Sequence, residues 1–242
     1  MKLVIDVGNT KVKAGVFSQK QLIEVFYSDT MNIRFIENMC NKYVAISSVI
    51  FSSVIDISDE ILQFLKRKFY CIELFETTPI PIINLYKTPS TLGKDRLAGV
   101  VGAYFLSPSQ NTLVIDAGTC ITYDFINCDG KYMGGSISPG LFMRFRALHT
   151  FTGKLPLVSI GNKYDLIGVD TETSIRSGVV NGVVAEIEGI ISKYEKNNFH
   201  LKTFLCGGDA SFLADKIKNS IFAVPELVLT GLNEILDYND KK

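Results

Sequence analysis

The sequence has no excess of charge of either sign and no long apolar run. Lysine plus arginine and aspartate plus glutamate both number 25, so the formal net charge is zero. This balance excludes the broad basic surface with which proteins neutralise nucleic-acid phosphates. The most apolar stretches, such as residues 44–57, are interrupted by Ser and Asp and are too short for a membrane span. We therefore expect neither nucleic acid nor membrane as a partner.

Cysteine is also scarce, and its spacing argues against a metal centre or a disulfide framework. The five cysteines are scattered without any CxxC pair: Cys40, Cys71, Cys120, Cys128 and Cys206. A chain of 242 residues buries enough surface to fold without such staples. The apolar run before Asp6 is too short for a signal peptide. Reduced thiols in a cytoplasmic protein are the expectation.

The common nucleotide-binding and catalytic motifs are missing as well. The sequence has no GxxxxGK[ST], no GxGxxG after a strand, no HRD and no HExxH. These absences argue against P-loop enzymes, dinucleotide-binding folds, protein kinases and zinc peptidases. Any nucleotide site must therefore be built from other residues.

The most informative feature that is present is an internal repeat. The segment 3–10 reads LVIDVGNT, and the segment 113–120 reads LVIDAGTC. Each copy has a short apolar run, an Asp, a small or β-branched residue, a Gly and a polar residue. Runs of this kind predict central strands, and the Asp-x-Gly predicts a tight turn. We call residues 6–10 the first Asp-x-Gly turn and residues 116–120 the second.

Similar elements follow both turns. The predicted strands are 12–17, 22–27, 44–49, 71–74, 121–126, 132–137, 201–205 and 222–224; the predicted helices are 33–42, 59–69, 95–106, 141–149, 171–194 and 210–217. This order predicts an α/β protein of two tandem β-β-β-α-β-α-β lobes that face each other across a cleft. The polar, helix-breaking residues 107–111 place the boundary between lobes 1–109 and 110–242. An alternative leaves the last helix packed back on the first lobe.

The first Asp-x-Gly turn has the chemistry of a phosphate site. Gly8 lets the backbone approach a ligand, and amides near Asn9 and Thr10 can point at phosphate oxygens. Asp6 is placed to hold Mg²⁺, directly or through water, and Lys13 adds positive charge. A single Asp-x-Gly turn is often only structural. Two copies at equivalent positions favour the phosphate interpretation.

Two glycine-rich segments join a predicted strand to a predicted helix. The Gly134–Gly140 segment, GGSISPG, is suited to a phosphate or a polar substrate group at a helix N-terminus. The Cys206–Ala210 segment, CGGDA, could let an adenosine lie against its backbone. A plain tight turn is the alternative for the second segment.

Taken together, four motifs resemble type III pantothenate kinase. They are DVGNT at 6–10, GKDR at 93–96, DAGT at 116–119 and GGSISPG at 134–140. The resemblance spans nearly the whole chain, and GxDR with GGxIxPG is specific to the family. It implies the acetate and sugar kinase/Hsp70/actin superfamily, whose core is a duplicated ribonuclease H-like fold. It also implies ATP-dependent phosphorylation of pantothenate to 4'-phosphopantothenate, the first step towards coenzyme A.

The resemblance also implies roles for the residues around GxDR. Asp95 would be the catalytic base, because a carboxylate can accept the proton of an alcohol nucleophile. Arg96 would hold the substrate carboxylate or transition-state oxygens. The further substrate contacts implied are Tyr86, Gly93, Lys94 and Thr171. The alternatives are a charged pair in a helix's first turn, a packing aromatic at Tyr86 and a helix N-cap at Thr171.

Further implied roles concern the nucleotide, the ions and the oligomer. The implied ATP or phosphate contacts are Asp6, Val7, Gly8, Asn9, Thr10, Lys11, Val12, Lys13 and Thr119. Asp116 would bind a monovalent cation, K⁺ or NH₄⁺. The apolar residues of 171–194 would form a homodimer, with burial on both faces inside the monomer as the alternative.

Two other functions are compatible with parts of the sequence. One is a non-catalytic regulatory relative, since some family members have been called accessory factors for transcription. The other is a sugar or acid kinase of the superfamily, which would share the phosphate turns but lack GxDR. The intact set of Asp6, Asp95, Arg96 and Asp116 favours the pantothenate kinase.

Overall fold

A computed structural model describes residues 1–161, 164–197 and 200–240, and they form an α/β protein. The strands are β1 Lys2–Val7, β2 Val12–Ser18, β3 Gln21–Ser28, β4 Ser48–Ser53, β5 Tyr70–Glu73, β6 Ile83–Asn84, β7 Thr112–Ala117, β8 Cys120–Ile126, β9 Lys131–Pro139, β10 Lys202–Cys206 and β11 Phe222–Ala223. The helices are α1 Ile33–Lys42, α2 Asp59–Lys68, α3 Lys94–Leu106, α4 Leu141–Thr150, α5 Thr171–Asn197, α6 Ala210–Ala214 and α7 Leu227–Asp240. Within these residues, none of the helices is both long and apolar enough to cross a bilayer.

The chain divides into two compact units. Unit 1 contains Met1–Pro108, Gly130–Met133 and the C-terminal segment from Glu226, and unit 2 contains Ser109–Asp129 and Gly134–Pro225. The C-terminal helix α7 therefore belongs to unit 1. These units are groups of residues in contact, and the expected lobes 1–109 and 110–242 stay a prediction.

Unit 1 is built on a mixed sheet in the order β3-β2-β1-β4-β5. Strands β1 to β3 are antiparallel neighbours, whereas β4 and β5 run parallel to β1. Alternate residues of β1 point to opposite faces of the sheet. Leu3 and Ile5 lie in a core that α1 and α2 cover with Ile36 and Leu65. This sheet places the end of β1, with Asp6, next to the end of β4.

Helices α3 and α7 of unit 1 cross at two glycines. A methyl group added to Gly231 would lie 1.7 Å from the carbonyl oxygen of Ala98, and one on Gly102 would lie 2.5 Å from that of Leu227. Backbone atoms of the two helices are therefore in contact, which side chains at these positions would prevent. Lys2 and Lys20 pair with acids on the far half of α7 and hold it against the sheet. The crossing fixes α3, which carries Asp95 in its first turn.

We expect Gly231→Ala to lower the free energy of unfolding by about 1–3 kcal/mol, the usual cost of overpacking. The new methyl group meets rigid backbone, so the helices must move apart. Gly189→Ala in α5 is the matched control, because among the described residues no atom outside the backbone of its own helix lies within 4 Å of the added methyl group. Helix propensity should raise stability there by up to about 1 kcal/mol. Urea unfolding of both variants checks this, and equal stabilities would contradict it.

Unit 2 repeats the sheet of unit 1. Its strands lie in the order β9-β8-β7-β10-β11, with β7 and β8 antiparallel and β10 and β11 parallel to β7. Strand β7 thus holds the place that β1 holds in the first sheet, which confirms the duplication predicted from the repeat. The hairpin before β9 turns at Gly130 with a φ of 73°, as the Asp-Gly pair predicts. The first residues of β9 pair with β6 inside unit 1.

Helices α4 and α5 cover the second sheet. Of the apolar α5 residues from which a dimer was predicted, most are buried inside unit 2: Val179, Val180, Val183, Ile187 and Ile191. Val184 and Ile190 are partly buried against the same core. The alternative of burial within the monomer therefore accounts for most of this apolar surface.

The structure differs from the predicted elements in a few places. Strand β4 covers 48–53 rather than 44–49, because a turn closes between Tyr43 and Ile46 and Val44 is 89% exposed. Helix α6 ends at Ala214, where the amide of Lys216 bonds back to Leu213 in a tighter turn. The sequence pattern predicts neither strand β6 nor the bounds of α7.

Candidate active site

The first Asp-x-Gly turn joins β1 to β2. The amide of Gly8 donates to the carbonyl of Lys11 at 3.1 Å and closes the turn. Asn9, Thr10 and Lys11 are exposed, whereas the side chains of Val7 and Val12 are buried. The two valines can therefore meet a ligand only through their backbone.

The carboxylate of Asp6 is held by the neighbouring strand. Ser52 is its parallel partner in β4, and the Ser52 hydroxyl donates to Asp6 Oδ1 at 2.7 Å. Burial, assisted by the negative charge of Asp95, raises the pKa of Asp6 to about 6, even though the Ser52 hydrogen bond and the charge of Lys13 oppose the shift. Asp6 and Asp95 therefore lie close enough in unit 1 to interact electrostatically. Sequence reasoning missed Ser52, because only the register of β1 and β4 reveals it.

Lys13 has its own partners within unit 1. Its Nζ lies 4.0 Å from a carboxylate oxygen of Glu226 and 5.7 Å from the ring centroid of Tyr27. Part of its charge is thus already balanced by an acid. The predicted contribution of Lys13 to phosphate binding stays a prediction.

Asp95 and Arg96 lie in the first turn of α3, where the helix dipole favours a negative charge. Asp95 Oδ1 accepts the backbone amide of Arg96 at 2.8 Å. A methyl group on Gly93 would lie 2.5 Å from the same oxygen. The glycine of the GxDR motif therefore leaves the space that the Asp95 carboxylate occupies.

Aromatic rings surround the charged side chains of this motif. The guanidinium carbon of Arg96 lies 5.6 Å from the ring centroid of Tyr86. Tyr86 in turn stacks on buried Tyr132, with centroids 6.1 Å apart and an angle of 6° between planes. Lys94 Nζ lies 4.8 Å from the ring centroid of Phe75. The structure thus brings Tyr86 and Arg96 together, with a supporting tyrosine that sequence reasoning did not find.

The second Asp-x-Gly turn lies in unit 2 and is covered by other glycine-rich backbone. Gly118 N donates to Cys120 O at 2.9 Å. Gly207 has a φ of 93°, and a methyl group there would lie 2.4 Å from both Asp116 Oδ1 and the carbonyl oxygen of Ala117. Carboxylate and carbonyl oxygens therefore lie together beside Gly207. Such oxygens are the ligands that hard cations prefer.

The Gly134–Gly140 segment also rests on this turn. Gly140 N donates to Thr119 O at 3.1 Å, and a methyl group on Gly140 would lie 2.2 Å from Gly118 O. Gly135 similarly contacts the backbone of Tyr123. The segment ends β9 and leads into α4, as the sequence predicts.

Thr171 is the first residue of α5 and is exposed. It is not the N-cap, because Asp170 Oδ1 accepts the amide of Thr173 at 2.7 Å and performs that function. Thr171 lines a cavity of about 780 Å³ in unit 2, together with Arg144, Leu148 and Val179. Asp116 and Thr119 do not line this cavity.

The repeated sheet and the paired Asp-x-Gly turns define a class of protein. A glucomannokinase from Arthrobacter, described as using inorganic polyphosphate or ATP, has a similar fold, with a TM-score of 0.53, 16% identity and 98% of both chains covered. A structure described as a Baf family transcriptional activator from Campylobacter jejuni has a TM-score of 0.62 and 21% identity, covering 99% of this chain and 100% of the other. The fold is that of the actin-like ATPases and sugar kinases.

Sequence comparison identifies the family within that class. A profile of type III pantothenate kinases matches residues 2–193. A relative described as type III pantothenate kinase from Phocaeicola vulgatus is 49% identical over 242 residues, which cover 100% of both chains. The chain belongs to the type III pantothenate kinase family.

Proposed function

We propose that this chain transfers the γ-phosphoryl group of ATP to the terminal hydroxyl of pantothenate, with Asp95 as general base. The observation that carries the proposal is the Asp95 carboxylate in the first turn of α3, beside Arg96 and Tyr86 and electrostatically coupled to Asp6. A carboxylate in this place can accept the hydroxyl proton as the oxygen attacks phosphorus. The bond from oxygen to phosphorus forms, the bond to the ADP oxygen breaks, and the proton remains on Asp95.

The neighbours of Asp95 suit a small anionic substrate. Among the residues around Asp95, the guanidinium of Arg96 is the best suited to bind the substrate carboxylate. The ring of Tyr86 lies against that guanidinium and holds it in place. Gly93 leaves room for the Asp95 carboxylate, and Lys94 adds a cation nearby. These contacts would orient pantothenate so that its hydroxyl faces the base.

The first Asp-x-Gly turn supplies the proposed nucleotide contacts of unit 1. The exposed backbone at Asn9, Thr10 and Lys11 can donate to phosphate oxygens. Asp6 fits Mg²⁺, because it offers a partly accessible carboxylate oriented by Ser52. In the part of the chain that the structure describes, no three His, Cys, Asp or Glu side chains cluster as a metal site. Phosphate oxygens and water would therefore complete the ligands, as Mg²⁺ commonly requires. The ion would neutralise charge on the transferred group.

Unit 2 supplies the proposed cation site and a further phosphate contact. The oxygens of Asp116 and Ala117 beside Gly207 fit a monovalent cation, and the family resemblance assigns K⁺ or NH₄⁺ to Asp116. The same resemblance assigns an ATP phosphate to Thr119, which is exposed at the tip of its turn.

A homodimer is also part of the proposal, although residues outside α5 support it. Six exposed apolar side chains of unit 2 lie on α4 or in the segment between α4 and α5: Phe142, Phe151, Leu157, Leu166, Ile167 and Val169. Monomeric proteins seldom expose so many large apolar side chains in one region of the chain. Sedimentation equilibrium at micromolar concentration tests this, and a monomer alone would refute the dimer. A cytoplasmic location also remains proposed, supported by five cysteines that are all free.

A coupled assay of ADP release tests the function directly. We expect ADP formation to require pantothenate and to be faster in potassium than in sodium, because the family resemblance assigns K⁺ to Asp116. Glucose or mannose in place of pantothenate should give no ADP above background. ADP release with a sugar alone would favour a sugar kinase, and no release with any acceptor would favour a regulatory relative.

A further inference from the structure

A network of four polar side chains adjoins the Gly134–Gly140 segment, and none of the four is among the predicted site residues. Glu186, in the middle of α5, accepts the Tyr123 hydroxyl at 2.9 Å and a guanidinium nitrogen of Arg144 at 2.5 Å. The same guanidinium donates to Ser138 Oγ at 2.9 Å, and Arg144 Nε donates to Pro139 O at 2.8 Å. Arg144 therefore connects one carboxylate to two consecutive residues of the Gly134–Gly140 segment.

The network is partly buried. The side chains of Arg144 and Glu186 are 23% and 25% exposed, and Tyr123 is fully buried. Burial opposes the ionisation of Glu186, but bonds from Arg144, Ser138 and Tyr123 outweigh it and hold the pKa of Glu186 below its ordinary value. Burial and the bond to Glu186 raise the pKa of Tyr123, so its hydroxyl remains a donor. A partly buried pair with every charge compensated holds its members in one geometry.

The segment held by Arg144 also contacts the backbone of the second Asp-x-Gly turn. Gly140 donates to Thr119 O, and its Cα approaches the turn so closely that no side chain would fit. Any movement of Ser138 and Pro139 must therefore be passed to Gly140 and to the backbone of Thr119. A shift of 1 Å in a contact of this kind can reduce ligand affinity or rate severely.

We propose that Glu186 is a positioning residue, which through Arg144 holds the Gly134–Gly140 segment against the turn that carries Thr119 and so sets the nucleotide contact of unit 2. This inference rests on the proposed assignment of Thr119 to an ATP phosphate. Glu186 does not itself touch the reacting atoms. Its effect on the nucleotide should therefore exceed its effect on pantothenate, because Arg144 also lines the cavity that contains Thr171 but bonds directly to the segment beside Thr119.

The chain offers a control of matched chemistry. In unit 1, Glu24 accepts a lysine, Lys42, and a tyrosine hydroxyl, Tyr43, each at 2.7 Å. This carboxylate has the same kinds of partner as Glu186, but it lies in β3 of unit 1, where it pairs with Val16 and not with a residue of the first Asp-x-Gly turn. Glu24→Gln therefore measures the loss of such a network without any change to the nucleotide contact.

The test compares Glu186→Gln with Glu24→Gln in nucleotide binding and in kinetics. We expect Glu186→Gln to raise the Kd for a non-hydrolysable ATP analogue, measured by calorimetry, and the KM for ATP by about tenfold. The KM for pantothenate should change less than about twofold. Glu24→Gln should leave all three constants at the wild-type values.

Arg144→Met should reproduce the nucleotide effect, and the double variant with Glu186→Gln should bind no more weakly than Arg144→Met alone, since both residues act through one contact. An unchanged Kd in Glu186→Gln, or equal increases in both KM values, would overturn the inference. The binding measurement does not depend on turnover. A wild-type protein that binds the analogue but does not phosphorylate pantothenate would refute the proposed function and not this inference.

Discussion

Replacing Asp95 with Asn is expected to lower kcat by at least about 100-fold, the lower end of what a general base contributes. Asparagine keeps the shape of the side chain and can still accept the amide of Arg96. It cannot take a proton from the substrate hydroxyl. The variant should therefore fold and bind ATP like the wild type, and a steady-state assay with calorimetric titration of nucleotide checks both statements.

Asp59→Asn is the matched control for this variant. Asp59 also lies in the first turn of a helix, α2, where its negative charge interacts favourably with the helix dipole. Both substitutions should therefore change stability by a similar small amount, and only Asp95→Asn should lose turnover. Near-normal activity in Asp95→Asn would remove Asp95 from the role of base.

Replacing Asp6 with Asn is expected to abolish most activity and yet to stabilise the protein at neutral pH. Removing one such charged group from a phosphoryl-transfer site typically costs about 100-fold or more in kcat. The stability effect follows from the pKa of Asp6, which burial raises from 3.8 to about 6 in the folded chain. A raised carboxyl pKa means that folding disfavours the ionised form. The wild type therefore loses stability as the pH rises from about 4 to about 6, by up to about 3 kcal/mol.

The Asn variant lacks this ionisation and should not lose that stability. We expect its advantage over the wild type to be absent near pH 4 and largest above pH 6.5. Urea unfolding at several pH values, without nucleotide or Mg²⁺, measures the difference. Ser52→Ala should act in the opposite direction, because it removes the bond that favours the ionised Asp6. An Asp6→Asn protein less stable than the wild type at pH 8 would contradict the prediction.

The variants Asp95→Asn and Asp6→Asn also distinguish a role in the reaction from a role in folding. Replacing a residue that serves packing lowers the stability of the protein. Replacing a buried carboxylate that serves the reaction raises it. Asp6 should belong to the second kind. The raised pKa of Asp6 is thus the cost of placing an acid at the end of a buried strand, next to another acid.

Much of the fold could be predicted because its signals are local. The two apolar runs before Asp6 and Asp116 predict central strands, and the same order of elements after each run predicts the duplicated sheet that the structure shows. Helices α1 and α2 have capping or charge patterns that mark their ends, so α1 has the predicted bounds and α2 ends one residue before the predicted position. Strand β4 was predicted too early, because the apolar residues 44–46 lie in a turn while the strand includes Ser52 and Ser53.

The supporting residues of the site could not be predicted in the same way. Ser52, Tyr132 and Glu186 belong to no motif, and each lies far along the chain from the residue that it holds. Their roles depend on strand register for Ser52, on ring stacking for Tyr132 and on the packing of α5 against α4 for Glu186. The periodicity of the apolar residues of α5 likewise did not reveal whether a dimer or the monomer buries them. In the structure, unit 2 itself buries most of them.

The amino-acid sequence by itself determined the duplicated α/β plan, the two Asp-x-Gly turns and the family motifs with Asp95, because strands, turns and motifs are encoded by neighbouring residues. The tertiary structure alone decided how those residues are held: Asp6 by Ser52, Tyr86 by Tyr132, and α3 by the close crossing at Gly231. These contacts join residues that are distant in the chain. Their geometry depends on register and packing, which no local pattern specifies.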